Sequence, residues 1–292
     1  MVIDILATSP GPFLITFREA LEAALIVGIM AAYLNKTGKY HAKKYLWIGT
    51  LTAVMTSVVI AAVLLVVYGG LSGIGEKIFE GTTSILAAGI LTCMIFWMGK
   101  NAANIKDNLH KKIDIVLSRG YLFGIATLAF VAVLREGVET ALFLVATPTI
   151  NTTGTLIGAI AGIALVSLLS VLAMRRIYTL NLKAFFKYSS LILIIFAAGL
   201  FGYGIHEYME AAEIAGIETG LLSKSAFDIN PSDASDIFHE KGVIGSIAKA
   251  MVGYDGNPEW LRVFAYLGYW LIVGAYFLRT YYPEHPINRI KK

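Results

Sequence analysis

Arg18-Glu-Ala-Leu-Glu-Ala-Ala-Leu-Ile-Val27 and Arg135-Glu-Gly-Val-Glu-Thr-Ala-Leu-Phe-Leu144 align without a gap, and each lies inside a long apolar segment. Both open on Arg-Glu-x-x-Glu. An ionisable side chain within a membrane span costs roughly 2.5–3.5 kcal/mol on insertion scales, so the six charges of the two motifs oppose insertion by on the order of 15 kcal/mol unless paired or hydrated. Packing alone gives no reason to keep them.

The surrounding chain has 292 residues, 57% of them apolar and 15% charged, with a mean hydropathy of +0.69. That composition is too hydrophobic and too poor in charge for a soluble globular domain. Apolar runs near the roughly 20 residues that cross a bilayer as a helix fall at about 13–34, 46–68, 81–99, 121–147, 154–174, 187–206 and 260–279. The expected fold class is all-α, a multi-pass membrane protein of seven transmembrane helices in one domain over residues 1–292. Residues 1–12 carry an aspartate and no basic residue, unlike a secretory leader, so the first span is expected to be retained. The lone cysteine, Cys93, excludes an intrachain disulfide and a multi-cysteine metal site.

Lysine and arginine in short loops favour the cytoplasmic side. Lys36, Lys39, Lys43 and Lys44 follow the first span, and Lys100, Lys106, Lys111, Lys112 and Arg119 follow the third. Arg175, Arg176, Lys183 and Lys187 follow the fifth, and Arg279, Arg289, Lys291 and Lys292 end the chain. The acidic segment from about 207 to 259 lies on the other face, with Glu207, Glu210, Glu213, Glu218, Asp228, Asp233, Asp236, Glu240 and Asp255. These groups place the N-terminus outside and the C-terminus in the cytoplasm of a cell whose plasma membrane holds the chain. The net charge of +4 averages two faces of opposite sign, so it is no nucleic-acid footprint.

The motif copies lie three spans apart, in the first and the fourth, and an odd offset reverses direction. The pattern is that of an inverted repeat, about 10–105 and about 118–210, followed by the outer loop at about 207–259 and a last helix at about 260–280. Such repeats place a substrate site where the halves meet. Glu19 and Glu22 share a helix face, as do Glu136 and Glu139, while Arg18 reaches Glu22 and Arg135 reaches Glu139 at i,i+4. If the two motif helices pack together, four carboxylates converge, a hard oxygen environment suited to a highly charged metal ion. The bland alternative is two intrahelical salt bridges that merely lock the helices, but that leaves one carboxylate per motif unpaired. A di-iron oxidase usually shows Glu-x-x-His, which neither motif has. Glu80, Glu207 and Glu210, with Asp233 and Asp236, are the residues expected in an acidic vestibule; His206 and His239 read as surface or cap residues, and the methionines as packing. Gly154, Gly158 and Gly162 form a small-residue face that could join helices within the chain or two copies of it.

These residues resemble the high-affinity, oxidase-dependent iron permeases, a seven-helix family whose signature is Arg-Glu-x-x-Glu in the first and fourth helices. Glu80-Gly81, Trp97-Met98, Gly253-Tyr254 and Pro258 also match, and Asp233-Ala-Ser-Asp236 is similar to an acidic outer-loop element of the fungal members. The resemblance implies a transporter rather than an enzyme, without cofactor. Iron, ferric by expectation, is its transported substrate; Glu19, Glu22, Glu136 and Glu139 are the metal ligands, with Arg18 and Arg135 as motif arginines. It implies a stand-alone permease in the lipid bilayer, served by a separate oxidase or extracytoplasmic iron-delivery protein. A divalent-cation or lead permease on the same scaffold is the alternative within the class, and a membrane-bound iron-binding oxidase or sensor is the alternative outside it.

Overall fold

A computed structural model of the chain describes residues 9–101, 104–118, 120–147, 152–173, 182–217, 220–232, 236–240 and 242–281. Among them the regular structure is helical, apart from one isolated bridge between Ser225 and Glu259. In chain order the helices are α1 (Pro10–Lys36), α2 (Ala42–Gly69), α3 (Ile74–Asn101), α4 (Ile105–Ser118), α5 (Leu122–Ala146), α6 (Thr152–Ala173), α7 (Leu182–Ile214), α8 (Val243–Val252), α9 (Trp260–Tyr269) and α10 (Ala275–Tyr281). A π-helical turn, Trp270–Gly274, runs α9 into α10. Each apolar segment of the sequence thus coincides with a helix. Five helical stretches are long and apolar enough to cross a membrane: Ala42–Gly69, Ile74–Asn101, Thr153–Ser170, Ser189–Ile214 and Trp260–Thr280. α1 and α5 are as long, at 27 and 25 residues, and fall short of that composition because each carries the three charges of its motif.

α2 shows what surrounds the bundle. Ala42, Leu46, Gly49 and Ala53 make its one buried stripe, while Val58, Val59, Val63 and Val66 are 56–75% exposed. An apolar helix exposed on its remaining faces is matched to hydrocarbon rather than water.

The most extensive helix contacts are α3 with α7, α2 with α5 and α1 with α6; α1 and α5 then meet each other in the middle. Hydrocarbon supplies no hydrophobic drive between helices, so close approach at small residues has to hold them together. Gly81 of α3 and Gly204 of α7 lie so close that a Cβ on either would stand 2.9–3.0 Å from the other's carbonyl oxygen. Gly158 and Gly162 of α6 rest on the α1 backbone at Ser9, Phe13 and Phe17, and the Ser9 hydroxyl donates to the Gly154 carbonyl at 3.0 Å. The small-residue face is thus used within the chain, the first of the two uses that its sequence left open.

The two ends of the bundle differ in charge. At one end meet the C-termini of α2 and α7 and the N-termini of α3 and α9, tied by Tyr68 donating to Glu80 at 2.6 Å and by the paired hydroxyls of Thr82 and Tyr208 at 2.7 Å. At the other end meet the C-termini of α1 and α3 and the N-terminus of α2, with α4. Tyr33 donates to Asp114 there at 2.6 Å and stacks on His110, and Lys100 donates to Tyr276 of α10. Lys36, Lys39, Lys43, Lys44, Lys100, Lys106, Lys111 and Lys112 belong to this second end. Arg119, Arg175, Arg176, Arg289, Lys291 and Lys292 lie outside the described residues.

Two segments expected as loops are helical. Ile105, Leu109, Ile113, Val116 and Leu117 recur at helical spacing, and in α4 they turn one face onto the core, with Ile113 fully buried. Within the acidic segment, α7 continues to Ile214 and α8 covers Val243–Val252. Gly253 ends α8 at φ 73° and lies directly on Gly199 of α7, where a Cβ would stand 2.7 Å from the Gly253 nitrogen. Left-handed backbone and close approach both demand glycine here. Gly253→Ala and Gly199→Ala should each cost about 1–3 kcal/mol of stability. In detergent-solubilised protein this reads as a lowered Tm, whereas Gly268→Ala, with nothing near its Cβ position, should leave Tm unchanged.

Candidate metal centre

Arg18 sits with its own carboxylates. Nη1 donates to Glu19 Oε1, and Nη2 lies 2.5 Å from Glu22 Oε1, the i,i+4 pair that the spacing predicts. All three are buried, at 5%, 1% and 3% exposure. The second motif is looser: Arg135 Nε donates to Glu139 Oε1 at 3.0 Å and stands 3.5 Å from Glu136 Oε1, with its side chain 44% exposed. Gly137, a variable position of the motif, has Ser57 of α2 against it, so any side chain there would push α2 away from α5.

Across the α1–α5 contact, one carboxylate oxygen each from Glu19, Glu22 and Glu136 lies within 4.8 Å of the others. The expected convergence of four is three plus one, because Glu139 stays in its ion pair with Arg135. Glu19 Oε2, Glu136 Oε2 and Glu139 Oε2 are buried without a hydrogen-bond partner among the described residues. Each such oxygen costs on the order of 1–3 kcal/mol or more when left unsatisfied, and a cation between α1 and α5 would satisfy them.

Two cavities reach the trio. One of about 500 Å³ lies between α1, α2, α5 and α6 and touches Glu19 and Glu136; the hydroxyls of Thr50, Ser57, Thr140 and Ser167 on its wall all donate to their own helix backbones. Its surface is accordingly apolar. The other, of about 60 Å³, is lined by Glu22, Arg135 and Glu136 together with Trp97, Met98 and Ile105. Met94 of α3, read from sequence as packing, stands between the motifs: its Sδ accepts from Arg18 Nη1 at 3.6 Å and from Arg135 Nη2 at 3.9 Å. The Arg135 guanidinium also lies over the Trp97 ring, 5.4 Å from its centroid.

A second charged cluster occupies the end of the bundle formed by α3 and α7. Lys77 Nζ meets Glu207 at 2.9 Å and Glu80 at 3.8 Å, and also pairs with Glu210. Three of the expected vestibule residues are thus together, around a lysine that sequence reasoning passed over. His206 belongs with them, which corrects its reading as a cap: its Nδ1 is 2.7 Å from Glu259, and ligand atoms of His206, Glu207 and Glu210 lie within 4.8 Å of one another. The i,i+4 spacing of His206 and Glu210 was the available signal. Asp236 is engaged elsewhere, accepting the Phe238 N–H in a turn, and Asp233 lies outside the described residues.

With this geometry in hand, comparison with known proteins is specific. A model of the iron permease FTR1 family matches residues 10–279. The chain belongs to that family. A ferrous iron permease of Yersinia pestis, EfeU, is 33% identical over 261 residues, covering 88% of this chain and 89% of that protein. EfeU of Escherichia coli O6:K15:H31 is 34% identical over 251 residues, 85% of this chain and 87% of that protein. An uncharacterized protein of Archaeoglobus fulgidus is 39% identical over 271 residues, 93% and 95% of the two chains. No solved structure matches. Membership of the family makes this FTR1-type chain an iron-uptake permease, a multi-pass membrane transporter.

The loop that carries Gly253 is anchored next to the second cluster. Asp255 pairs with Arg262, whose Nη2 also donates to the Gly253 carbonyl at 3.3 Å. Burial pushes the Asp255 carboxyl up, but Arg262 and the Asn257 N–H bring it below the usual range. A carboxyl depressed by folding contributes stability that is present above its unfolded pKa and is lost as pH falls through the folded value. Amide exchange across residues 253–258, corrected for intrinsic rate, should therefore stay slow at neutral pH and accelerate below about pH 4. Arg262→Met should make it fast at pH 7.

Proposed function

We propose that this permease carries iron inward through a central site made by Glu19, Glu22 and Glu136, with Glu139 as a fourth carboxylate and Arg18 and Arg135 as resident counter-charges. The observation that carries the reading is the trio of buried carboxylates from two helices, with Glu19 and Glu136 each keeping an oxygen that no protein donor satisfies among the described residues. α1 and α5 then cross the membrane as well, for seven spans, with the lysine-rich end in the cytoplasm and the N-terminus outside. Two inverted repeats, about 10–105 and 118–210, meet at the site. The helix pairings support this, since the second helix of each half packs on the motif helix of the other, α2 on α5 and α6 on α1. The cluster of Glu80, Glu207 and Glu210 is the outer vestibule, collecting cations from a separate oxidase or iron-delivery protein.

The all-oxygen donors favour ferric iron. Ferrous iron is the second reading, favoured by two observations. The Yersinia and Escherichia relatives are named ferrous iron permeases, and four glutamates against two arginines leave two carboxylates in excess, the formal match of a divalent ion. Uptake of radiolabelled iron into sealed proteoliposomes, with ascorbate or with a ferric chelate, separates the two.

In the same assay Glu→Gln at 19, 22 or 136 should lower uptake at least about tenfold at normal membrane levels, since the change keeps size and eases insertion. Glu139→Gln should cost less. A variant with all four replaced that still transports iron would end the reading. After Cys93→Ser, single cysteines at 43 and 111 should react only from the cytoplasmic side and one at 236 only from outside.

A further inference from the structure

The two motifs share a sequence pattern but not an environment, although Met94 of α3 meets both arginines. Arg18 is enclosed by Glu19 and Glu22. Arg135 is half exposed, its ion pairs are 3.0 and 3.5 Å long, and its remaining partners are the sulfur of Met94 and the face of Trp97. Met94 is 5% exposed and belongs to the main core, yet its sulfur faces two guanidiniums at once.

We propose that Met94 and Trp97 of α3 are positioning residues for the motif arginines, holding Arg135 away from the free oxygen of Glu136 so that the cation, not the guanidinium, takes it. The inference rests on the glutamate site proposed above. Arg135 Nε already stands 3.5 Å from Glu136 Oε1, and Glu136 Oε2 is buried without a hydrogen-bond partner among the described residues, so a modest turn of the guanidinium would let it take that oxygen too. Whatever holds it back must attract a guanidinium without competing for the metal ion. A carboxylate at 94 would add another anion to the site, and an amide or hydroxyl would bring a hard oxygen ligand. A thioether is a weak, polarisable acceptor that tolerates two donors and needs no hydration. The indole adds a cation–π contact that fixes the guanidinium plane and has no lone pair to offer a metal. Met94, Trp97 and Met98 stand at i, i+3 and i+4, so one face of α3 supplies both contacts and a wall of the 60 Å³ cavity.

The test is iron uptake by full-length protein in proteoliposomes, with KM and Vmax measured separately. Met94→Leu keeps the volume and removes the acceptor; KM should rise about five- to tenfold, with Vmax within about twofold. Trp97→Leu should do the same, and Trp97→Phe, which keeps an aromatic face, should recover most of the loss. In an Arg135→Lys background, where no planar guanidinium remains to be placed, Met94→Leu should add less than about twofold. A full effect of Met94→Leu in that background, an unchanged KM in the wild-type background, or a Trp97→Phe variant as impaired as Trp97→Leu would each overturn the proposal. If the fourfold Glu→Gln variant is inactive and these outcomes nevertheless fail, the glutamate site stands and only the role of α3 falls. Should Met94→Leu fail to accumulate in membranes, the comparison of the two Trp97 substitutions decides alone.

Discussion

Helices α1 and α5 meet at a surplus of buried carboxylate, and much of the bundle is arranged around that contact. Each motif neutralises one of its two glutamates internally, so bringing the motifs together concentrates the remainder where water is scarce. In hydrocarbon such a cluster cannot be left at the lipid face. The motif helices are therefore flanked by α2 and α6, which carry no carboxylate and turn valine and isoleucine outward. Close packing along the α1–α6 and α2–α5 seams holds these helices in place, while the apolar cavity between them reaches Glu19 and Glu136. Gly49 against the Ala126 backbone, Gly137 against Ser57, and Gly158 and Gly162 against the first turns of α1 all hold the flanking helices to the motif helices.

Much of this was legible in the sequence. Every apolar run overlapped a helix, because a membrane helix must satisfy its backbone internally and needs an apolar length to match, although α3 begins seven residues before its run and α7 ends eight after it. The motif spacing foretold the Arg18–Glu22 and Arg135–Glu139 pairs, since i,i+4 geometry is local. The convergence of glutamates was readable only as a condition on α1 meeting α5, and that Glu139 stands outside the trio depends on how the two helices face each other, which spacing along one helix does not encode. Met94 was not legible: a methionine in an apolar helix has no local signature that separates core filling from a contact made by residues 41 and 76 positions away. Lys77 was hidden for a similar reason, since Glu207 and Glu210 reach it from α7, whereas His206 had a local signal in Glu210 at i,i+4. α8 escaped because its neighbours are acidic and polar, although Gly253 marks its end.

The charge clusters at the two levels follow one logic. In each, carboxylates outnumber basic partners, and a basic side chain occupies the space between them: Arg18 in the centre, Lys77 at the end of the bundle. A tethered cation lets the cluster fold without a bound ion, and its single charge makes it a weaker occupant than a multiply charged one. The two differ in reach. The Lys77 ammonium is a point charge on a flexible stem and 26% exposed, whereas the Arg18 guanidinium is planar, enclosed and bonded to two oxygens.

The proposed repeat is closest to symmetric in its helix pairings and least so in its side chains, and the reason lies in what each half adds. α3 packs against α5 as well as α7, while the corresponding approach of α7 to α1 is slight; the short helices that follow them, α4 and α8, reach α5 and α1 respectively. One motif arginine is shut in between its own two carboxylates, and the other opens onto a small cavity beside Trp97. Unequal surroundings give the two arginines different freedom, so a cation at the site meets one counter-charge locked between its carboxylates and one with room to swing aside.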